Sequence, residues 1–226
     1  MHIPDGFIDL KTAAGTGVLS LSGFIVAIIK VKQYFRARVV VVMGIFAALI
    51  FAAQMINFTI IGGTSGHLLG AALATIILGP YAGSIIITVV LIVQAFVFGD
   101  GGITALGANT FNMAIIGVIS SYLIYKLITR FSKSRAFFYA GVAVASWFSV
   151  VIAAAFCGIE LAISGTYSLW ITLGSMIPIY MVIGVGEAII TSVVIAFIDK
   201  VKPEIILTRN WDRVVLAENK EENDQG

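Results

Sequence analysis

The chain contains two histidines, His2 and His67, and the first stands where an imidazole has unusual reach. The Met1 α-amine, the His2 backbone nitrogen and the His2 imidazole follow one another along the chain. Amine and amide can close a five-membered ring on a metal ion, and amide and imidazole Nδ1 a six-membered one, both with little strain. The three nitrogens then share a plane. Displacing the amide proton calls for a cation that strongly prefers nitrogen, and a tetragonal or square-planar nitrogen field suits Ni(II) or Cu(II). His67 can supply the fourth corner. A second residue as large as His2 also works against removal of Met1, which keeps the ligand-bearing amine.

Each half of this set has an ordinary explanation too. A histidine at position two can be accidental, and an isolated His67 serves equally to start a helix or to anchor a segment at an interface. Together they are more persuasive than apart. Pro4 restricts its own φ and biases Ile3 toward extended backbone, and Gly6 permits a turn beyond it, as a built terminus requires.

The elements that position these residues follow from composition. With 59% hydrophobic and 12% charged residues and a mean hydropathy of +1.03, the chain has too little polar surface to coat a globular domain in water. At about 20 apolar residues per span, the 226 residues hold six to eight transmembrane helices and little else. Apolar runs cover 12–29, 39–61, 67–79, 82–98, 105–127, 136–157 and 168–198, which predicts an all-α membrane protein of seven transmembrane helices. The third run is short and abuts Gly79 and Pro80, and the last is interrupted at Pro178, so irregular backbone facing protein or water is expected there. Residues 1–198 form one integral-membrane domain on this reading, and 199–226 a charged cytoplasmic tail.

Basic residues orient the spans. Lys30, Lys32, Arg36 and Arg38 follow the first, Lys126, Arg130, Lys133 and Arg135 close the fifth, and five more lie beyond the seventh, with Lys11 alone on the other side. Thirteen against one places the N-terminus outside and the C-terminus in the cytoplasm. Both histidines then lie on the outer side, with the glycine-rich segments 62–67 and 99–102 and the segment 158–167. Asp5 and Asp9 replace the basic start of a cleavable signal peptide. Dispersed loop charges argue against nucleic-acid binding. Cys157, the single cysteine, cannot form an internal disulfide and reads as packing.

The opening Met1-His2-Ile3-Pro4-Asp5-Gly6-Phe7, combined with Gly63-Thr64-Ser65-Gly66-His67-Leu68-Leu69-Gly70, resembles the CbiM/NikM family of cobalt and nickel uptake proteins. These are substrate-binding S components of energy-coupling factor (ECF) transporters of prokaryotic cell membranes. The resemblance spans nearly the whole chain, including Gly99-Asp100-Gly101-Gly102 and Ala105-Leu106-Gly107-Ala108-Asn109. It implies a multi-pass protein that is no enzyme and has no catalytic cofactor, importing Ni2+, or Co2+, held by the Met1 amine, the His2 amide and imidazole, and the His67 imidazole. The Pro4-Asp5 opening is similar to nickel-type members. It further implies a transmembrane coupling (T) subunit and two cytoplasmic ATPase subunits as partners, since no Gly-x-x-x-x-Gly-Lys-Ser/Thr loop occurs here. A small membrane accessory component, fused in some relatives, would be a separate protein.

Other residues give weaker signals. Gly44, Ala48 and Ala52, and likewise Gly66, Gly70 and Ala74, recur at four-residue spacing and suit either a partner or another helix of the same chain. Asp100 could attract cations or be a solvated loop residue. Thr64 and Ser65 could orient the His67 ring or serve turn chemistry. Asn109 and Asn112 could bond to neighbouring backbone. Glu187, deep in an apolar run, defaults to a functional hypothesis, outside the metal site. The methionines in the spans read as packing. Two rival classes are an ATPase-independent secondary divalent-cation transporter, which would lean on Glu187, and an intramembrane metalloenzyme, which lacks a His-Glu-x-x-His helix.

Overall fold

A computed structural model describes residues 1–32, 37–60 and 64–208. Among them are seven helices, α1 (Leu10–Val31), α2 (Ala37–Gln54), α3 (Ala71–Leu78), α4 (Pro80–Phe98), α5 (Leu106–Phe131), α6 (Arg135–Ile163) and α7 (Leu169–Val201). Two short strands, β1 (Phe58–Ile60) and β2 (Thr64–Gly66), pair antiparallel between α2 and α3, with Thr59 opposite Ser65. Five helices, α1, α4, α5, α6 and α7, are long and apolar enough to cross a membrane, as a multi-pass membrane protein requires. Their outward faces carry large apolar side chains such as Leu19, Val97, Leu123 and Val193.

Local chemistry sets the ends. Asp9 caps α1 by accepting from the Lys11 and Thr12 amides. Ser134 does the same for α6 through Phe137. Gly79, at φ +84°, and Pro80, at the first position of α4, fold α3 and α4 into a sharp helical hairpin. Residues 94–98 of α4 and 111–116 of α5 are wound as π-helix, a form often found beside functional sites.

The third apolar run behaves as its shortness predicts. Only α3 is helical, and eight residues span about 12 Å of a hydrocarbon core about 30 Å thick. Residues 67–70 approach it as irregular backbone, and all of α3 is buried by its neighbours. Irregular backbone at such depth needs partners from protein. Gln54 supplies one, its amide donating to the Leu69 carbonyl at 2.7 Å, and Glu187 supplies two, accepting from the Leu69 and Gly70 amides at 2.8 and 2.6 Å.

Three expectations are corrected. No irregular backbone interrupts the last span, because α7 runs helical from Leu169 to Val201 with Pro178 inside it. The second run does not stay helical to 61, because α2 stops at Gln54 and the chain turns into β1; residues 61–63 lie outside those described. Residues 158–163 are the last turns of α6 and not part of a loop. Gly158 lets α7 approach closely, since a Cβ there would lie 3.0 Å from Leu173, and the helix breaks only at Gly165, φ +72°. Glu160 is thereby a buried helical residue whose carboxylate accepts from the Asn112 amide at 2.6 Å. The charged tail from 209 onward lies outside the described residues.

The starts of α1, α5 and α7 and the ends of α4 and α6 meet at one end of the bundle. There Asp5 accepts from the Thr104 amide at 2.7 Å, and Thr166 donates to the Phe7 carbonyl at 2.6 Å. Deeper in, α3 and α4 touch backbone to backbone: a Cβ on Gly83 would lie 2.9 Å from Thr75 Oγ1 and 3.2 Å from the Thr75 nitrogen. Overpacking of this kind costs about 1–3 kcal/mol. Gly83→Ala is therefore expected to lower the unfolding midpoint of the detergent-purified protein by several degrees, read by thermal melting; an unchanged midpoint would contradict this packing.

Candidate metal centre

The first three residues are buried: Met1, His2 and Ile3 are 0%, 3% and 0% exposed, and His67 is 2% exposed. The segment is held by backbone accounting. The Ile3 amide donates to Asn109 Oδ1 at 2.8 Å and the Asn109 amide donates back to the Ile3 carbonyl at 3.1 Å, so one side chain pairs both polar groups of residue 3. The Gly102 amide donates to the same carbonyl at 2.9 Å. Cys157 Sγ lies 3.6 Å from the Met1 carbonyl, a contact its expected packing role did not foresee.

Two glycines let the 99–102 loop cover this segment. Gly101, at φ +90°, lies so close to His2 that a Cβ would come within 3.2 Å of the imidazole, and a Cβ on Gly102 would collide with the Asp5 amide. No other residue fits.

Three nitrogens meet at one oxygen. The Met1 amine, the His2 amide and His2 Nδ1 lie 3.3, 3.3 and 3.2 Å from Ser65 Oγ. On its far side the His2 ring pairs its Nε2 with Gln94 Oε1 at 3.1 Å. An amide oxygen only accepts, so Nε2 carries the proton and Nδ1 keeps a bare lone pair. Ser65 then accepts from amine and amide and donates to Nδ1, which uses the full capacity of a hydroxyl, one donor and two lone pairs. Sequence left Ser65 between orienting the His67 ring and turn chemistry; it serves the terminus instead. Thr64 Oγ1 is buried with no partner among the described residues.

His67 is primed in the complementary way. Its Nδ1 donates to the Leu68 carbonyl at 2.7 Å, and its Nε2 is buried with no partner among the described residues. The rings of His2 and His67 stack with centroids 4.4 Å apart. Met1, His2 and His67, three predicted site residues from two distant stretches, are thus brought together. Four nitrogen lone pairs or displaceable N–H groups surround one spot, and among the described residues the buried His67 Nε2 there meets no donor.

Electrostatics favours neutral ligands. Burial lowers the Met1 amine to about 5, against a small opposing pull from Cys157 and Asp100. Burial, with repulsion from the amine, lowers His2 to about 3, and the hydrogen bond to Gln94 opposes this. Asp100 is half-buried and its Oδ1 lies 3.4 Å from His2 Nδ1, while Asn57 donates to its Oδ2 at 2.8 Å. It is no freely solvated loop residue, and burial raises its carboxyl above the usual range. Gln94 and Glu160 were not singled out from sequence. Gln94 carried a readable signal, an amide near the end of an otherwise apolar run; Glu160 was hidden by placing it in a loop.

A buried bundle end where amine, amide and imidazole nitrogens converge is a candidate metal centre in a multi-pass membrane protein. Comparison with known proteins narrows the class. The family model for the cobalt uptake substrate-specific transmembrane region, CbiM, matches residues 2–205. A putative fused nickel transport protein NikMN of Archaeoglobus fulgidus is 45% identical over 91% of this chain and 68% of its own length. A putative metal transport protein of Haloquadratum walsbyi is 35% identical over 92% of this chain and 94% of its own. A solved structure described as a truncated transition metal transporter superposes with a TM-score of 0.85 and 35% identity, covering 88% of this chain and 99% of that one. The chain belongs to the CbiM family.

Asn109 is the clamp that can be tested without metal. Asn109→Ala leaves the buried Ile3 amide without its partner and the Ile3 carbonyl with the Gly102 amide alone, at about 1–3 kcal/mol. Amide hydrogen exchange across residues 2–7 is expected to accelerate at least severalfold, and exchange as slow as in the parent would show that other contacts hold the terminus.

Proposed function

We propose that this chain is the substrate-binding S component of an ECF-type importer that captures Ni2+, with Co2+ as a second cargo. Its ligands on this reading are the Met1 amine, the His2 amide and Nδ1, and His67 Nε2. One observation carries it: three nitrogens in chelating order lie within 3.3 Å of a single hydroxyl, with the unpartnered His67 Nε2 buried beside them. In the amine–amide–imidazole series the amide is the middle donor, so the fourth corner lies opposite it and a second imidazole fits there. A planar four-nitrogen field favours Ni(II) over Co(II), which accepts other geometries. Relatives named as nickel transport proteins support the same cargo.

The site end faces the outside on this reading. Lys30, Lys32, Arg130, Lys133, Arg135, Lys200 and Lys202 all lie toward the other end of the helices, and among the described residues Lys11 alone lies near the site. A transmembrane coupling subunit and two cytoplasmic ATPases supply the energy that presents the loaded site inward. Gly44, Ala48 and Ala52 are exposed along α2, a strip of small residues open to such a partner. The role is binding and translocation, not catalysis. An ATPase-independent mechanism would need Glu187 as a mobile ion carrier, but both its oxygens are occupied by backbone amides.

Register is the sharpest test. Inserting one glycine between Met1 and His2 keeps every side chain and removes the five- and six-membered ring pair. Nickel content of the purified protein, with its N-terminus verified, is expected to fall at least tenfold; undiminished nickel would sink the chelate.

Protonation gives a second test. The amine at about 5 and the His2 imidazole at about 3 lie below their ordinary values of 8.0 and 6.5, so both are already unprotonated at pH 7. Only the amide proton is then displaced on binding. Affinity is expected to fall about tenfold per pH unit near neutrality, and more steeply once the pH drops through 5 and the amine begins to compete. Nickel titrations from pH 8 to 4.5 measure the slope, and a flat profile contradicts amide ligation.

A further inference from the structure

Glu187 lies at mid-length in α7 and is 3% exposed, yet nothing proposed so far for metal capture uses it. Its two oxygens accept from consecutive amides, Leu69 to Oε2 at 2.8 Å and Gly70 to Oε1 at 2.6 Å, at the point where α3 begins. The Leu69 amide shares its peptide plane with the Leu68 carbonyl, because the peptide unit is rigid. That carbonyl accepts the Nδ1 proton of His67. A carboxylate therefore grips one edge of a peptide plane whose opposite edge fixes the tautomer and tilt of the imidazole. Metal-binding histidines are commonly oriented by a carboxylate or a carbonyl on the far nitrogen. Here the two act in series.

We infer that Glu187 is a positioning residue for His67, acting through the Leu68–Leu69 peptide to hold Nε2 toward the amino-terminal nitrogens. This rests on the reading of His67 as the fourth ligand. Two adjacent N–H groups need two acceptors, and a carboxylate has them where an amide has only one. The negative charge also suits the positive end of α3. The other end of α3 is tied to the same helix: beyond α7 the chain turns at Pro203, Ile206 is fully buried, and the Thr208 hydroxyl donates to the Ile76 carbonyl. The half-helix that follows His67 is thus fastened to α7 and its extension at both ends, so displacement of α7 moves the fourth ligand.

Glu187→Gln keeps the shape and leaves one N–H unpaired, and a mutant cycle with His67→Ala isolates its route of action. Nickel affinity and the ligand-field spectrum of the bound ion are measured in purified parent, both single variants and the double variant, with folding checked by thermal melting. Glu187→Gln is expected to weaken binding about tenfold alone, under about twofold when His67 is already alanine, and to shift the nickel bands toward those of His67→Ala. Equal losses in both backgrounds, or parental affinity and bands in Glu187→Gln while His67→Ala binds weakly, would overturn the inference. Parental binding by His67→Ala would instead remove the ligand reading itself, and the inference with it. Should Glu187→Gln not fold, Gly70→Ala displaces the same turn, since φ there is +74° and a Cβ would lie 2.8 Å from Ile50. The same non-additivity is expected from it, and additive losses overturn the inference equally.

Discussion

A buried chain terminus sets the terms for the rest of this molecule. An amine, two amides and three carbonyls enter the interior in the first three residues, and each left unpaired would cost a substantial part of a folded domain's net stability. Five of these groups meet partners: Ser65 for the amine and the first amide, Asn109 and Gly102 for residue 3, Cys157 beside the Met1 carbonyl. These partners come from β2, α5, the 99–102 loop and α6. The terminus is therefore less an appendage of the bundle than the piece around which one end of it closes.

The same accounting explains the departures from regular helix. A full third span in place of β2 and α3 would have hidden its backbone polar groups from the site. Breaking it releases the 67–70 backbone, and the released groups are taken up by Gln54 and Glu187. The π-helical turns play a related part, since Gln94 opens one and Asn112 lies in the other, each presenting an amide toward a buried partner.

Sequence made the helices legible because apolar runs in a bilayer admit few alternatives, and it made the proposed ligands legible because His2 follows the amine directly and His67 is the only other imidazole. It misplaced what depends on contact between distant segments. Gly158 looks like a stop and acts as a close-packing point; Glu160 looks like a loop residue and is buried on Asn112; Asp100 looks solvated and faces His2. Ser65 was noticed as a neighbour of His67 in sequence, yet strand pairing turns its hydroxyl toward the terminus. Local order cannot report which way a two-residue neighbour points once the chain leaves the helix.

Holding ligands ready and letting the cargo go again pull in opposite directions. A site gathered in advance loses little conformational freedom on binding, which strengthens capture. Here the gathering agent is a hydroxyl whose three hydrogen bonds go to the same nitrogens that the proposed ion would take, so the ion replaces contacts already made and need not assemble them. Such an arrangement has no release built into the terminus, which is tied to rigid backbone by Asn109 and the glycine loop. The fourth nitrogen differs. His67 stands on irregular backbone joined to a half-helix, and it is reached from α7. If one ligand is to be withdrawn while three stay, the fold singles out that one, because the other three nitrogens share the adjoining residues Met1 and His2, whereas His67 reaches them from a separate segment held by Gln54 and Glu187.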